Sequence, residues 1–175
     1  MSQIQHRKFD NLTIKEIEKL TPYKYVTLTR AIRVLEELGL CNTIIGDDRT
    51  KRLQFAKSKE LWNRAQDYLI NPIAKVVYCY ETNANIICSY NALSHYTNLN
   101  PEDKQYLAIY EKEYKNFEHN SKGVNDYDGV ITIEVWKYPS IDDKYVDRLS
   151  LYLTLNKEKD PRVENELEKM ISELW

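Results

Sequence analysis

Between Thr13 and Phe55 the apolar positions change period twice. Ile14, Ile17 and Leu20 recur at helical spacing and predict a short helix over Thr13–Leu20, with Asn11 ahead of it as cap. Thr21-Pro22 stops it, because the residue before a proline avoids the helical region. Leu28, Ala31, Ile32, Leu35 and Leu38 fall on one face of a second helix from about Lys24 to Leu38, and Gly39 supplies a left-handed residue at its end. The pattern then turns β-like over Cys41–Ile45 and Lys51–Phe55, with Gly46-Asp47-Asp48 as the turn. Helix, tight turn, helix, β-hairpin is the order of a winged helix-turn-helix, whose second helix enters the DNA major groove while the hairpin grips the flanking backbone. Only MSQIQHRKFD precedes Asn11, and IQHRKF does not read as the further helix such domains usually place there. The expectation is a trimmed or minimal version, or one in which another element stands in.

A third amphipathic helix is predicted over Lys57–Ile70, with Leu61, Trp62, Ala65, Tyr68 and Leu69 turned to a core. Asn71-Pro72 breaks it and sets the domain boundary: residues 1–72, then 73–175. In the second part Ala74–Tyr80, Gln105–Tyr110 and Val130–Tyr138 read as strands. Asn85–Tyr96, a polar stretch to His119, Val146–Leu155 and Pro161–Trp175 read as helices, and Asn120–Gly129 as a loop. In the last helix Val163, Leu167, Met170, Ile171 and Leu174 form a stripe, with Asp160 as cap and Pro161 in the first turn. The fold class expected is α+β: a winged helix-turn-helix followed by a small α+β domain with a short sheet.

Charge sharpens this division. The net charge of -2 divides into 13 Lys+Arg against 9 Asp+Glu in residues 1–72 and 12 against 18 in residues 73–175. The basic part coincides with the helix-turn-helix, whereas the acidic part would be repelled by DNA and is expected to face something else. No apolar run reaches the roughly 20 residues of a membrane span, and the N-terminus has no signal-peptide core. Cys41, Cys79 and Cys88 are far apart, so a cytoplasmic protein with free thiols and no metal site is expected.

A recognition helix presents polar and basic side chains early and buries its opposite face. Tyr25, Thr27, Thr29, Arg30 and Arg33 lie off the apolar stripe, with Arg30 placed for a bidentate contact to guanine and Lys24 at the helix start for phosphate. Arg49, Lys51 and Arg52 crowd the hairpin tip, which suits phosphate or minor-groove contact. Twelve of the 14 tyrosines lie from Tyr68 onward, and a partner surface is expected among Tyr110, Tyr114, Tyr138 and Tyr145. Asp126, Asp128, Glu134 and Lys137 are similar to a nuclease's Asp…Glu-x-Lys set, but Glu134 and Lys137 stand three apart and point to opposite faces of a regular strand. No phosphate loop or nucleophile–base signature is present, and His6, His95 and His119 are scattered. No catalysis and no cofactor are expected.

TLTRAIRVLEELGL, KELWNRAQDYLINP, NALSHYTNL, VWKYPSI and VDRLSLYLTLNKEKDPRVENELEKMI together resemble a family of bacterial winged-helix proteins labelled MarR-like or AbiEi-like. The resemblance extends over most of the chain. Such proteins are typically encoded beside a nucleotidyltransferase-like toxin and act as its antitoxin. The resemblance implies operator binding and autoregulation by the first domain, with double-stranded DNA, a second copy of the chain and the toxin as partners. Two other readings stand beside it: a protein-interaction module whose winged domain does not read DNA, and a ligand-sensing repressor with the Tyr-rich domain as sensor.

Overall fold

A computed structural model describes residues 9–174. IQHRKF up to residue 8, with His6, and Trp175 at the end of the last predicted helix lie outside the described residues. The chain divides into two compact units between Leu69 and Ile70, just ahead of Asn71-Pro72. It is mixed α+β, with a small sheet in each unit.

In the first unit α1 spans Ile14–Leu20 and α2 Tyr25–Glu37. Thr13, not Asn11, caps α1: its hydroxyl accepts the Glu16 amide at 3.2 Å and its own amide donates to Glu16 Oε2 at 2.7 Å. That reciprocal pair satisfies two amide donors at once, which a single Asn cap does not do. Asn11 is in left-handed backbone, φ 60°, and donates its amide to the Leu53 carbonyl at 2.7 Å; the Leu53 amide returns a bond to Leu12 at 2.9 Å. The segment before α1 therefore runs along β2. α2 ends at Gly39, φ 67°, where Leu40 N–H reaches the Leu35 carbonyl and Gly39 N–H the Glu36 carbonyl, a left-handed stop that glycine adopts without a Cβ clash.

The hairpin pairs β1 (Cys41–Ile45) with β2 (Lys51–Phe55) in antiparallel register, Cys41 opposite Phe55 and Ile45 opposite Lys51. Ile17, Leu28, Ile32, Cys41 and Leu53 form the core between helices and hairpin. α3 (Ser58–Ala65) continues into a 3-10 turn over Gln66–Tyr68, and Leu61 and Ala65 close on Leu40. Two predicted core positions differ: Ala31 and Tyr68 are exposed. Ala31 lies at the flank of the stripe, and the helix tightens before Tyr68, which rotates that side chain outward.

The second unit is built on a mixed sheet in the order β3–β6–β5–β4, with β3 Ile73–Cys79, β4 Ile86–Ile87, β5 Gln105–Tyr110 and β6 Ile131–Trp136. β5 and β6 are parallel and the other pairs antiparallel. Val77, Cys79, Leu107, Ile109, Ile133 and Val135 face Phe117 of α5 (Tyr114–Asn120). By the alternation of strand side chains, Thr132, Glu134 and Trp136 look to the opposite face. α4 (Ser89–Tyr96) packs on β5 and on α6 (Arg148–Leu155), and α6 on α7 (Pro161–Ser172). Ile86-Ile87, predicted as the start of a helix, instead pairs with Ala108 and Leu107, as suits β-branched side chains. Val146 bonds the Ile87 carbonyl and so stays extended, and α6 begins after its cap Asp147. The α7 stripe is buried from Val163 to Ile171, with Asp160 capping and Pro161 in the first turn. Among the described residues no helix is long and apolar enough to cross a membrane.

Candidate nucleic-acid interface

The predicted DNA-reading residues divide between α2 and the hairpin. Lys24 stands at the N-cap position of α2 with no side-chain bond to the helix. The open helix end is closed from α1 instead, where Glu18 Oε1 accepts the Tyr25 amide at 2.8 Å. That contact ties the two helices together and occupies one of the amides a phosphate would seek. Thr27, Arg30 and Arg33 are exposed. Thr29 is only half-exposed, and its hydroxyl donates to the Tyr25 carbonyl at 2.8 Å, so it serves the helix first.

At the hairpin tip Arg49 N–H donates to the Gly46 carbonyl and Gly46 N–H to the Thr50 carbonyl, both at 2.9 Å. Arg49 itself is left-handed, φ 58°, where a side chain is costly. Arg52 crosses the turn. Its Nη2 lies 2.9 Å from Asp48 Oδ2 and its Nη1 3.2 Å from the Asn11 carbonyl. Asp48 also accepts from the Thr50 hydroxyl at 2.6 Å and amide at 3.0 Å. Thr50, and then Arg52, hold the Asp48 carboxyl well below the usual carboxylate range. Arg52 thus acts as the brace of the turn, and Arg49 and Lys51 are the tip cations that face water. Among the described residues Lys24, Arg30, Arg33, Arg49 and Lys51 make no ion pair, whereas Arg52 pairs with Asp48 and Arg64 with Glu60.

The four tyrosines singled out in the second unit are half-buried and engaged at separate places. Tyr114 lies beneath the Lys75 ammonium and beside Phe117; Tyr145 stacks on His95 at 3.9 Å; Tyr138 shares a hydrogen bond with Ser150; Lys112 lies over Tyr110. Among the described residues the most exposed large hydrophobic side chain is a different tyrosine. Tyr127 is 85% exposed at the apex of a firmly held loop. The Asn125 side chain accepts from the Tyr127 and Asp128 amides and donates to the Gly123 and Asp128 carbonyls, and its backbone pairs with Tyr78. Tyr80 donates to Asp128 at 2.5 Å, and Gly129 lies against the Cys79 backbone. Asn and Gly flanking a tyrosine were the available sequence signal, but they read equally well as an ordinary turn.

The nuclease-like residues are not gathered. Glu134 is buried and accepts from Trp136 Nε1 at 2.9 Å and from Cys88 and Ser89. Burial outweighs those bonds and raises its carboxyl above the usual range. Lys137 is exposed and bonds the Asn71 carbonyl. Among the described residues no group of His, Cys, Asp and Glu is arranged to hold a metal ion, and the three cysteines are free and buried.

Comparison with known proteins returns no match to a family model, to a curated protein or to a solved structure.

Proposed function

We propose that the chain is a DNA-binding transcription regulator that acts as the antitoxin of a toxin–antitoxin system. In this reading the first unit is a winged helix-turn-helix. α2 enters the major groove with Arg30 at a guanine edge, Lys24 and Arg33 reach phosphates, and the hairpin lays Arg49 and Lys51 on the flanking backbone. Arg52 keeps the hairpin in shape. The observation that carries the reading is that, among the described residues, Lys24, Arg30, Arg33, Arg49 and Lys51 stand on α2 and the hairpin without an ion pair, whereas Arg52 and Arg64 are paired with neighbouring carboxylates. Evolutionary chance leaves single charges unpaired on many surfaces, but here they stand on the two elements a winged helix turns toward DNA.

The acidic second unit is the partner domain in this reading. Its preorganised Tyr127 loop supports a protein contact, because a rigid aromatic loses little entropy on docking. The partner proposed is a nucleotidyltransferase-like toxin encoded beside it, with self-association to a dimer on palindromic DNA.

Salt-dependent binding to duplex DNA tests the reading. Arg49→Ala with Lys51→Ala should weaken binding to every sequence and flatten the salt slope by roughly one unit per lost phosphate contact. A chain that binds no duplex at low salt overturns it. Mixing the full chain with the purified product of the adjacent gene tests the partner, and Tyr127→Ala should weaken any complex by roughly tenfold, as truncating an anchoring aromatic does.

A further inference from the structure

The solvent face of α2 is not purely polar. Val26 is 60% exposed and Val34 51% exposed, and Arg30 lies between them. With about 100° of turn per residue, Val26, Arg30, Arg33 and Val34 fall on the side opposite the buried pair Leu28 and Ile32. Two β-branched aliphatic side chains on the outermost line of a surface helix cost helix propensity and remain in water. The arginines beside them give this line the chemistry that suits a polyanion with apolar groups at intervals along it.

Resting on the DNA-binding reading above, we infer that Val26 and Val34 select thymine, each seating against a 5-methyl group in the major groove on either side of the base read by Arg30. Thymine is the one base that offers an apolar group on that edge. The spacing fits. Eight residues of helix rise about 12 Å, and successive bases on one strand rise about 3.4 Å. A helix lying along the groove therefore places the two valines about three to four base pairs apart. The preferred duplex has thymines at that separation flanking a guanine.

The test uses the full chain and chemically defined DNA. A preferred duplex is selected from a random-sequence pool and resynthesised with uracil replacing thymine at one position at a time. The replacement deletes only the methyl group and leaves pairing and phosphates unchanged. Loss of the methyl at either of two positions three to four base pairs apart should weaken binding about fourfold, the factor that burying one such carbon contributes. Val34→Ser should abolish the penalty at one of those positions and Val26→Ser at the other. Both side chains are exposed, so the variants keep the fold, and a thermal melt checks this. Binding that is indifferent to uracil, or penalties unchanged in both variants, overturns the inference while leaving DNA binding intact. Loss of self-association in the valine variants with unchanged DNA affinity also overturns it, since a second copy is then what covers the face. No salt-dependent duplex binding at all would instead remove the reading on which the inference rests.

Discussion

Arg49→Asn separates two effects that the hairpin tip combines. Arg49 holds a left-handed conformation, φ 58°. For a residue with a Cβ that conformation carries roughly 1–2 kcal/mol of steric cost, and asparagine lowers it by bonding locally. The turn does not depend on the arginine side chain. Its frame is the Gly46–Thr50 and Arg49–Gly46 backbone bonds with the Asp48–Arg52 brace. Arg49→Asn should therefore stabilise the first unit by about 0.5–1 kcal/mol, while removing one cation from the proposed DNA face. Hydrogen exchange at the Leu53 amide, buried and bonded to Leu12, reads the opening free energy of this unit. Protection there should rise about 2–5-fold. In parallel the slope of log affinity against log salt should fall by about 0.9. Lys51→Gln is the control: Lys51 sits in regular strand opposite Ile45, so it should lower the slope without raising protection. Reduced protection in Arg49→Asn would refute the strain argument. An unchanged slope would take Arg49 out of the DNA interface and leave the strain argument standing.

Arg30→Ala should cost about 1–3 kcal/mol on the preferred duplex and much less on random DNA, and equal losses on both in a titration would assign Arg30 to phosphate. Gly129→Ala places a Cβ 2.7 Å from both the amide nitrogen and the carbonyl oxygen of Cys79, so denaturant unfolding of the second unit should show a loss of roughly 1–3 kcal/mol. Glu134 carries a carboxyl raised by burial above its ordinary 4.5, so the native state holds a proton that the unfolded state has already released. Stability should fall as pH rises from the ordinary value through the folded one, and unfolding of Glu134→Gln across that range should show a flatter profile.

Period and punctuation in the sequence determined most of the elements. Cys41–Ile45 is a β-branched stretch that ends at Gly46-Asp47-Asp48, Lys51–Phe55 resumes after that turn, Gln105–Tyr110 follows the Pro101 loop, and α2 stops at the glycine its left-handed end requires. The α7 stripe and its Asp160-Pro161 start were equally legible, because helix amphipathicity and capping are local. What tertiary structure decided was every outcome set by partners distant in sequence. Ile86-Ile87 became a strand because β5 offered it an edge, and Val146 stayed extended because the Ile87 carbonyl needed a donor. Asn11 lost its capping role when its amide was drawn to Leu53. The candidate site divides in the same way. Which side chains lie off the apolar stripe of α2 is a matter of helical phase and can be read from the chain. That Glu18 closes the end of that helix, that Arg52 is bound to Asp48 and Asn11, and that Tyr127 is far more exposed than Tyr110, Tyr114, Tyr138 or Tyr145 depend on how turns and neighbouring elements meet. Those meetings are set by packing and hydrogen-bond satisfaction in three dimensions, which residue type and spacing alone do not encode.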